Sequence, residues 1–287
     1  MTIVSPAVDT TSLAPLVELL RGRRIVALAG AGCSTESGIP DYRGPDGSHR
    51  ARKPMQYSEF VGSCAARARY WARSAVGWPR ISAARPNAAH AALARLEAGG
   101  VLRGVITQNV DGLHQAAGSR RVLELHGSLS SVRCLACGAA LRREAFQSEL
   151  RTLNPTWAAW LESRLVESAP DGDAEVPAEA VERFRVPACP GCGGVLKPDV
   201  VFFGENVPAA RVDEAWRLYG EGEALLVVGS SLTVYSGRRF LYRARDEGVP
   251  VAIVNLGPTR GDEMAAAKVE GRLGAVLPML ADVLLDG

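Results

Sequence analysis

Ala29-Gly30-Ala31-Gly32-Cys33-Ser34-Thr35-Glu36-Ser37-Gly38-Ile39-Pro40-Asp41-Tyr42-Arg43 is the stretch on which the reading of this chain turns. It follows an apolar run, Ile25 to Ala29, that reads as a buried strand, so its glycines fall where a strand ends and a helix is expected to begin. Gly30 and Gly32 let the backbone come close to a pyrophosphate, and the free N–H groups of a helix N-terminus favour an anion. Such a junction suits a dinucleotide, although a glycine-rich turn standing alone is equally compatible with a plain tight loop. The standard dinucleotide fingerprint would place glycine at position 35 and an acid about 20 residues further on. Here Thr35 stands at that position, and Pro40-Asp41-Tyr42-Arg43 follows, a rigid turn carrying an acid, an aromatic ring and a cation. That departure argues against an ordinary hydride-transfer dehydrogenase.

The 287 residues are 47% hydrophobic and 22% charged, which suffices for one large core with a smaller appended module. Lysine and arginine total 33 against 31 acids, a net charge of +2, so the balance calls for neither nucleic acid nor an anionic membrane as partner. No apolar run is long enough to span a bilayer, and Met1 to Thr11 lacks the basic flank and apolar segment of a signal peptide. A cytoplasmic location is expected. Four of the six cysteines form two C-x-x-C pairs, which in a reducing compartment point to metal rather than disulfides.

On the N-terminal side of this stretch Leu13 to Arg21 has helical spacing, and beyond it 44–53 reads as a polar loop covering a site. Helices are expected from Ser58 to Ser74 and from Asn87 to Ala98, the second stopped by Gly99-Gly100. Val101 to Thr107 is the next buried strand, with Gln108-Asn109-Val110-Asp111 at its carboxyl end, and Val122 to Leu125 delivers His126-Gly127 to the same edge. Open α/β sheets bind ligands there. Singly, Asn109 or Asp111 could be a helix N-cap and His126 a structural histidine; their convergence with Ser34 to Arg43 is what points to a site.

Cys134-Leu135-Ala136-Cys137 and Cys189-Pro190-Gly191-Cys192, each followed by glycine, read as two knuckles closing one tetrahedral Cys₄ zinc site. Four thiolates leave no open position, so the metal is structural; a redox C-x-x-C is the competing reading. The long interval between the pairs reads as a mostly helical insertion. After it the sheet is expected to resume with Lys197 to Glu205, then a helix from Pro208 to Gly220, the strand Ala224 to Val228 ending in Gly229-Ser230-Ser231, a helix from Ser236 to Glu247, the strand Val249 to Val254 ending in Asn255-Leu256-Gly257, and a last helix from Ala275 to Leu285. This alternation describes an α/β protein: a doubly wound parallel-sheet, Rossmann-like domain (13–50, 85–127 and 197–287) with a smaller module, helical over 51–84 and zinc-binding over 128–196.

The order and spelling of Gly30 to Arg43, Thr107-Gln108-Asn109-Val110-Asp111-Gly112-Leu113-His114, His126-Gly127, the two knuckles, Val201-Phe202-Phe203-Gly204-Glu205, Gly229-Ser230-Ser231 and Asn255-Leu256 resemble the sirtuins, NAD-dependent protein-lysine deacylases. Arg69 to Arg73 and Val76-Gly77-Trp78-Pro79 are most similar to the class II branch. The resemblance implies a reaction in which the acyl oxygen of an acyl-lysine displaces nicotinamide from the ribose of NAD, and a histidine, here His126, then takes a proton from a ribose hydroxyl. It implies that Asn109, Asp111 and Gln108 hold the ribose and the nicotinamide amide. Asp41, Tyr42 and Arg43 would close over the cofactor. Gly30, Ala31, Gly32, Ser34, Thr35, Gly229, Ser230, Ser231, Asn255, Leu256, Gly257 and Leu273 would contact its diphosphate and adenosine. Val201 to Glu205 would pair with the substrate backbone, and Cys134, Cys137, Cys189 and Cys192 would hold one structural zinc. The implied partners are proteins carrying acylated lysine.

Rival readings are removal of longer or acidic acyl chains, ADP-ribosyl transfer, and a non-enzymatic NAD-binding protein, the last disfavoured because His126, Asn109 and Asp111 are all in place. Tyr70 and Arg73, one turn apart, could read an acidic acyl group in place of acetyl, and the same cleavage of NAD could serve ADP-ribosyl transfer to protein. His90 and His114 read as structural.

Overall fold

The computed structural model describes residues 13–41, 54–162, 176 and 181–286. Its larger layer is a sheet of six strands in the order Val122–Glu124, Leu102–Thr107, Ile25–Ala29, Ala224–Val228, Val251–Asn255, Ala267–Glu270. These are β1 (Ile25–Ala29), β2 (Leu102–Thr107), β3 (Val122–Glu124), β7 (Ala224–Val228), β8 (Val251–Asn255) and β9 (Ala267–Glu270), and every neighbouring pair is parallel. Strands buried on both faces need apolar side chains at every position, which is why Ile25-Val26-Ala27-Leu28-Ala29 carries no polar residue. Its odd members pack with Leu93, Leu96, Val276 and Leu280 on one face, and Val26 and Leu28 pack with Phe240, Leu241 and Ile253 on the other. The chain crosses from one half of the sheet to the other between β1 and β7, so the connections leaving those strands diverge and open a crevice at their carboxyl ends.

A second, antiparallel sheet holds β5 (Ala140–Arg142), β4 (Gly127–Cys134) and β6 (Leu196–Val200) in that order. The expected resumption of the large sheet at Lys197 is thereby corrected. Leu196 to Val200 pairs with β4, Cys134 opposite Leu196, and its apolar side chains join the module's own core with Phe60, Tyr70, Trp71, Trp78 and Phe146. The helix expected from Ser58 to Ser74 is two helices, Tyr57–Gly62 and Cys64–Ala83. Ser63 divides them: its backbone is extended and its hydroxyl accepts from Ala66 N at 3.2 Å, which starts a new helix. The second runs on past Ser74 because Ala75, Val76, Trp78 and Ile81 bury against the module.

Candidate active site

The glycine-rich stretch forms two short 3₁₀ turns, Ala31–Cys33 and Thr35–Ser37, where an α-helix was expected. No helix dipole therefore points at a ligand here; close backbone contact is what the segment offers. Gly30 N donates to Val228 O at 3.0 Å and Gly32 N to Gly229 O at 2.8 Å, so the ends of β1 and β7 touch main chain to main chain. A Cβ on Gly30 would come within 2.7 Å of Ser230 Cβ, and one on Gly32 within 2.9 Å of Gly229 O. Any larger residue would force the crevice floor apart. Above that floor lies a cavity of about 690 Å³, within the range of small-molecule and cofactor sites.

A compact polar network stiffens one wall. Asn109 Nδ2 donates to Gly30 O at 3.0 Å and to Ser34 Oγ at 3.1 Å, and Ser34 Oγ donates to Asp111 Oδ2 at 2.6 Å. Leu113 N donates to the other carboxylate oxygen of Asp111 at 3.0 Å. Asn109 and Ser34 are both buried, 8% and 1% exposed, so these bonds are made in a low dielectric where their geometry is strongly held. Gln108 joins the floor through its backbone N, which donates to Ala29 O, and through Oε1, which accepts from Ser230 Oγ at 2.8 Å.

His126 lines the same cavity beside Gln108. Its Nδ1 is 3.0 Å from the Gln108 carbonyl and its Nε2 is 2.7 Å from Ser236 Oγ. A carbonyl only accepts, so Nδ1 carries the proton and Nε2 presents a lone pair to which Ser236 donates. Burial lowers the imidazole pKa to about 4; the Gln108 carbonyl opposes this, and the Arg211 and Arg239 cations add to it. The ring is thus neutral, with Nε2 as its basic nitrogen, and it lines the cavity, as a general base requires.

The third wall is Val200 to Val207. Phe202 packs edge-on to Phe60 at 5.2 Å and Tyr70 at 5.0 Å, and Lys197 Nζ lies 4.6 Å from its ring centroid. Glu205 Oε2 accepts from Phe202 N at 2.8 Å and pairs with Lys197 at 2.9 Å, which holds the turn around Gly204 against the module. The wall continues directly from β6 of the small sheet, while the floor is built on strand ends of the large one, so the cavity sits between the two.

Of the residues expected in the site, Gly30, Ala31, Gly32, Ser34, Asp41, Gln108, Asn109, Asp111, His126, Val201 to Glu205, Gly229 to Ser231 and Asn255 to Gly257 all line this one cavity. Thr35 and Leu273 do not. Thr35 Oγ1 turns back to Gly32 O at 3.0 Å, and Leu273 is buried in the core beneath Gly229. Tyr42, Arg43 and the loop 44–53 lie outside the described residues. Tyr70 reaches the cavity and Arg73 does not line it. Sequence reasoning missed Leu232, Ser236 and Arg239. Leu232 has φ 55°, the one non-glycine with positive φ among the described residues, a strain of the kind found at ligand clamps. A serine in the first turn of a helix reads as an ordinary N-terminal residue, so nothing in the local sequence singled out Ser236.

The four knuckle cysteines converge away from the cavity. Their sulfurs all lie within 4.8 Å of one another, with Cys134 and Cys192 at 3.5 Å and Cys137 and Cys189 at 3.8 Å. These separations exceed a disulfide bond of about 2.05 Å and match thiolates about 2.3 Å from a shared tetrahedral zinc. Gly138 and Gly193, at φ 74° and 71°, close the two knuckle turns, and the backbone N–H groups of Cys137 and Ala136 bring the Cys134 thiol down to about 6. The donor set fits a structural zinc.

The Sir2 family model matches residues 30–236. An NAD-dependent protein deacetylase of Xanthomonas axonopodis pv. citri is 52% identical over 96% of this chain and 92% of its own. The NAD-dependent protein deacetylase of Bordetella bronchiseptica is 51% identical over 91% and 96%. Among solved structures, a Sir2 variant with a deacetylated p53 peptide and 3′-O-acetyl-ADP-ribose superposes with TM-score 0.74 at 31% identity, covering 94% of this chain and 98% of that one. A Sir2 complex with p53 peptide and NAD⁺ gives 0.71 at 33% identity, over 92% and 95%. Motif order, a parallel sheet with a four-cysteine module and these likenesses converge on one statement: the chain belongs to the Sir2 family, the sirtuins.

Proposed function

We propose that this protein removes acyl groups, acetyl foremost, from lysine side chains of other proteins, consuming NAD and releasing nicotinamide and O-acyl-ADP-ribose. One observation carries the reading: a floor that only glycine fits, the Asn109–Ser34–Asp111 network, a neutral His126 and an apolar wall line a single cavity. NAD bound there supplies a nicotinamide leaving group on a ribose carbon. Gly30, Ala31, Gly32, Ser34, Gly229 to Ser231 and Asn255 to Gly257 hold the diphosphate and adenosine by close backbone approach. Asn109, Asp111 and Gln108 orient the ribose and the amide of the leaving group, a contribution of positioning rather than proton transfer. A ribose hydroxyl takes the place of Ser236 Oγ as donor to His126 Nε2, which accepts its proton and returns it to a leaving oxygen. Val201 to Glu205 receives the substrate backbone as an added strand, and Phe202 and Tyr70 exclude water around the acyl-lysine.

Neutral acyl groups suit the wall. Arg239 is the one arginine or lysine among the described residues lining the cavity, and it donates to the Ser236 carbonyl at 3.1 Å. No helix among the described residues is long and apolar enough to cross a membrane, and free cysteines gathered in one cluster without a disulfide fit a reducing cytoplasm. Substitution of His126 by alanine tests the reading. The variant should bind NAD within a few-fold of the parent while acetyl-peptide turnover falls at least about 100-fold. Undiminished turnover would refute the role of His126.

A further inference from the structure

Cys33, His90 and His114 lie together beneath the cavity floor, outside the machinery assigned above. All three are buried, at 1%, 0% and 1% exposure. Each can offer one ligand atom, and those atoms lie within 4.8 Å of one another. His90 uses Nδ1 at the start of its helix, where it meets Asn87 N at 3.3 Å and Asn87 Oδ1 at 3.1 Å, but its Nε2 has no partner. Neither nitrogen of His114 has one. The two rings stand edge to face, 4.8 Å between centroids. Three orphaned ring nitrogens in one dry pocket are uncommon, since buried polar atoms are nearly always paired.

We propose that Cys33, His90 and His114 form a second metal site, for Zn²⁺, and that its occupation inhibits the enzyme. One thiolate and two imidazoles are ligands that zinc prefers, and three protein ligands leave a fourth position for water. Tetrahedral zinc places its ligand atoms about 3.3–3.8 Å apart, so the three side chains close inward by a fraction of their present spacing. On binding, the Cys33 S–H bond breaks, its proton leaves to solvent and the sulfur bonds the metal; both imidazoles bind as neutral ligands. The product carries one net positive charge beside the Asp111 and Glu36 carboxylates, whose field already acts on Cys33. Residues on either side of Cys33, Gly32 and Ser34, line the cavity, and Asn87 Nδ2 donates to the Cys33 carbonyl at 2.8 Å. Drawing Cys33 toward the histidines therefore pulls on Ser34 and, through it, on Asp111.

The inhibitory half rests on the proposed NAD site; the binding half does not. The test titrates Zn²⁺ into purified full-length protein after gentle chelation, counts metal per chain, and repeats the measurement with Co²⁺, whose thiolate charge-transfer band reports sulfur ligation. The parent should take two zinc ions per chain. Cys33→Ala and Cys33→Val, both small apolar core residues, should take one and lose the second cobalt band while their melting curves show them folded. A parent that saturates at one ion, or folded Cys33 variants that still take two, would overturn the site. With acetyl-peptide, added Zn²⁺ should raise the KM for NAD at least tenfold in the parent and leave that of Cys33→Ala within twofold. A parent with two bound ions and an unchanged KM would overturn the inhibition alone.

Discussion

Ser236 Oγ lies 2.7 Å from Nε2 of His126, on the side of the ring away from the Gln108 carbonyl. Because the hydroxyl donates to the lone pair of the neutral imidazole, it favours the unprotonated base, in addition to the burial that already holds the ring near 4. Replacing Ser236 by alanine removes that bond. The acid limb of kcat/KM should then move upward from near 4 while burial keeps it below the ordinary histidine range, with kcat lowered several-fold and the KM for NAD little changed. A pH–rate profile of both proteins checks this; coincident acid limbs would remove Ser236 from the mechanism.

Stability should depend on pH through the same physics. Burial lowers the pKa of His126 to about 4 and of His114 to about 3, and also lowers that of His90. In the unfolded chain each returns to about 6.5. Between these limits the unfolded state binds more protons, so stability rises with pH through that window and is lost as pH falls below about 6.5. Burial raises the Glu124 carboxyl, which works in the opposite sense, one group against three. Calorimetric midpoints should climb from about pH 4.5 to 6.5 and flatten above; a midpoint falling across that range would contradict the burial of the three rings.

At Gly30 an alanine Cβ would meet Ser230 Cβ at 2.7 Å and Gly229 O at 2.8 Å, both on a strand end that cannot yield. Gly30→Ala should destabilise the fold by about 1–3 kcal/mol and weaken NAD binding more than tenfold. Gly62→Ala serves as the control, since nothing lies within 4 Å of a Cβ there. Urea titration and NAD calorimetry on both variants decide the matter, and equal behaviour would argue against a pinched floor.

Zinc should hold the small module. Four thiolates supply binding energy of about 10–16 kcal/mol in isolated zinc peptides, and Cys134 ends the strand that pairs with β6. Because β6 runs directly into the substrate wall, chelation or Cys192→Ser should expose 128–200 to limited proteolysis and abolish peptide binding, while the parallel-sheet core keeps its protection. Full peptide affinity after metal loss would show that the wall stands unaided.

Several elements were legible because their physics is local. Ile25 to Ala29, Ala224 to Val228 and Val251 to Val254 are buried on both faces, so unbroken apolar runs announced them; the third strand was expected to start at Val249 and instead covers Val251–Asn255. Asn87 was readable as the start of a helix, and there its side chain accepts from Ala89 N and His90 N. Pairing partners were not readable. Leu196 to Val200 has the apolar character of a central strand, yet which sheet it joins depends on Cys134 and on the core around Trp71. The edge strand Ala267–Glu270, with Lys268 and Glu270 partly outward, carries too little apolar signal to be found. In the site, residues within motifs were found, whereas Ser236 and Leu232 act through one long-range bond and one strained dihedral that spelling does not encode.

In the proposed reaction one cavity couples cleavage of NAD to removal of an acyl group from lysine. The most direct test of this coupling is mass analysis of the products formed from NAD and an acetyl-lysine peptide. Nicotinamide, deacetylated peptide and O-acetyl-ADP-ribose in equal amounts are the predicted result. Free acetate without consumption of NAD, or ADP-ribose retained on the peptide, would contradict it.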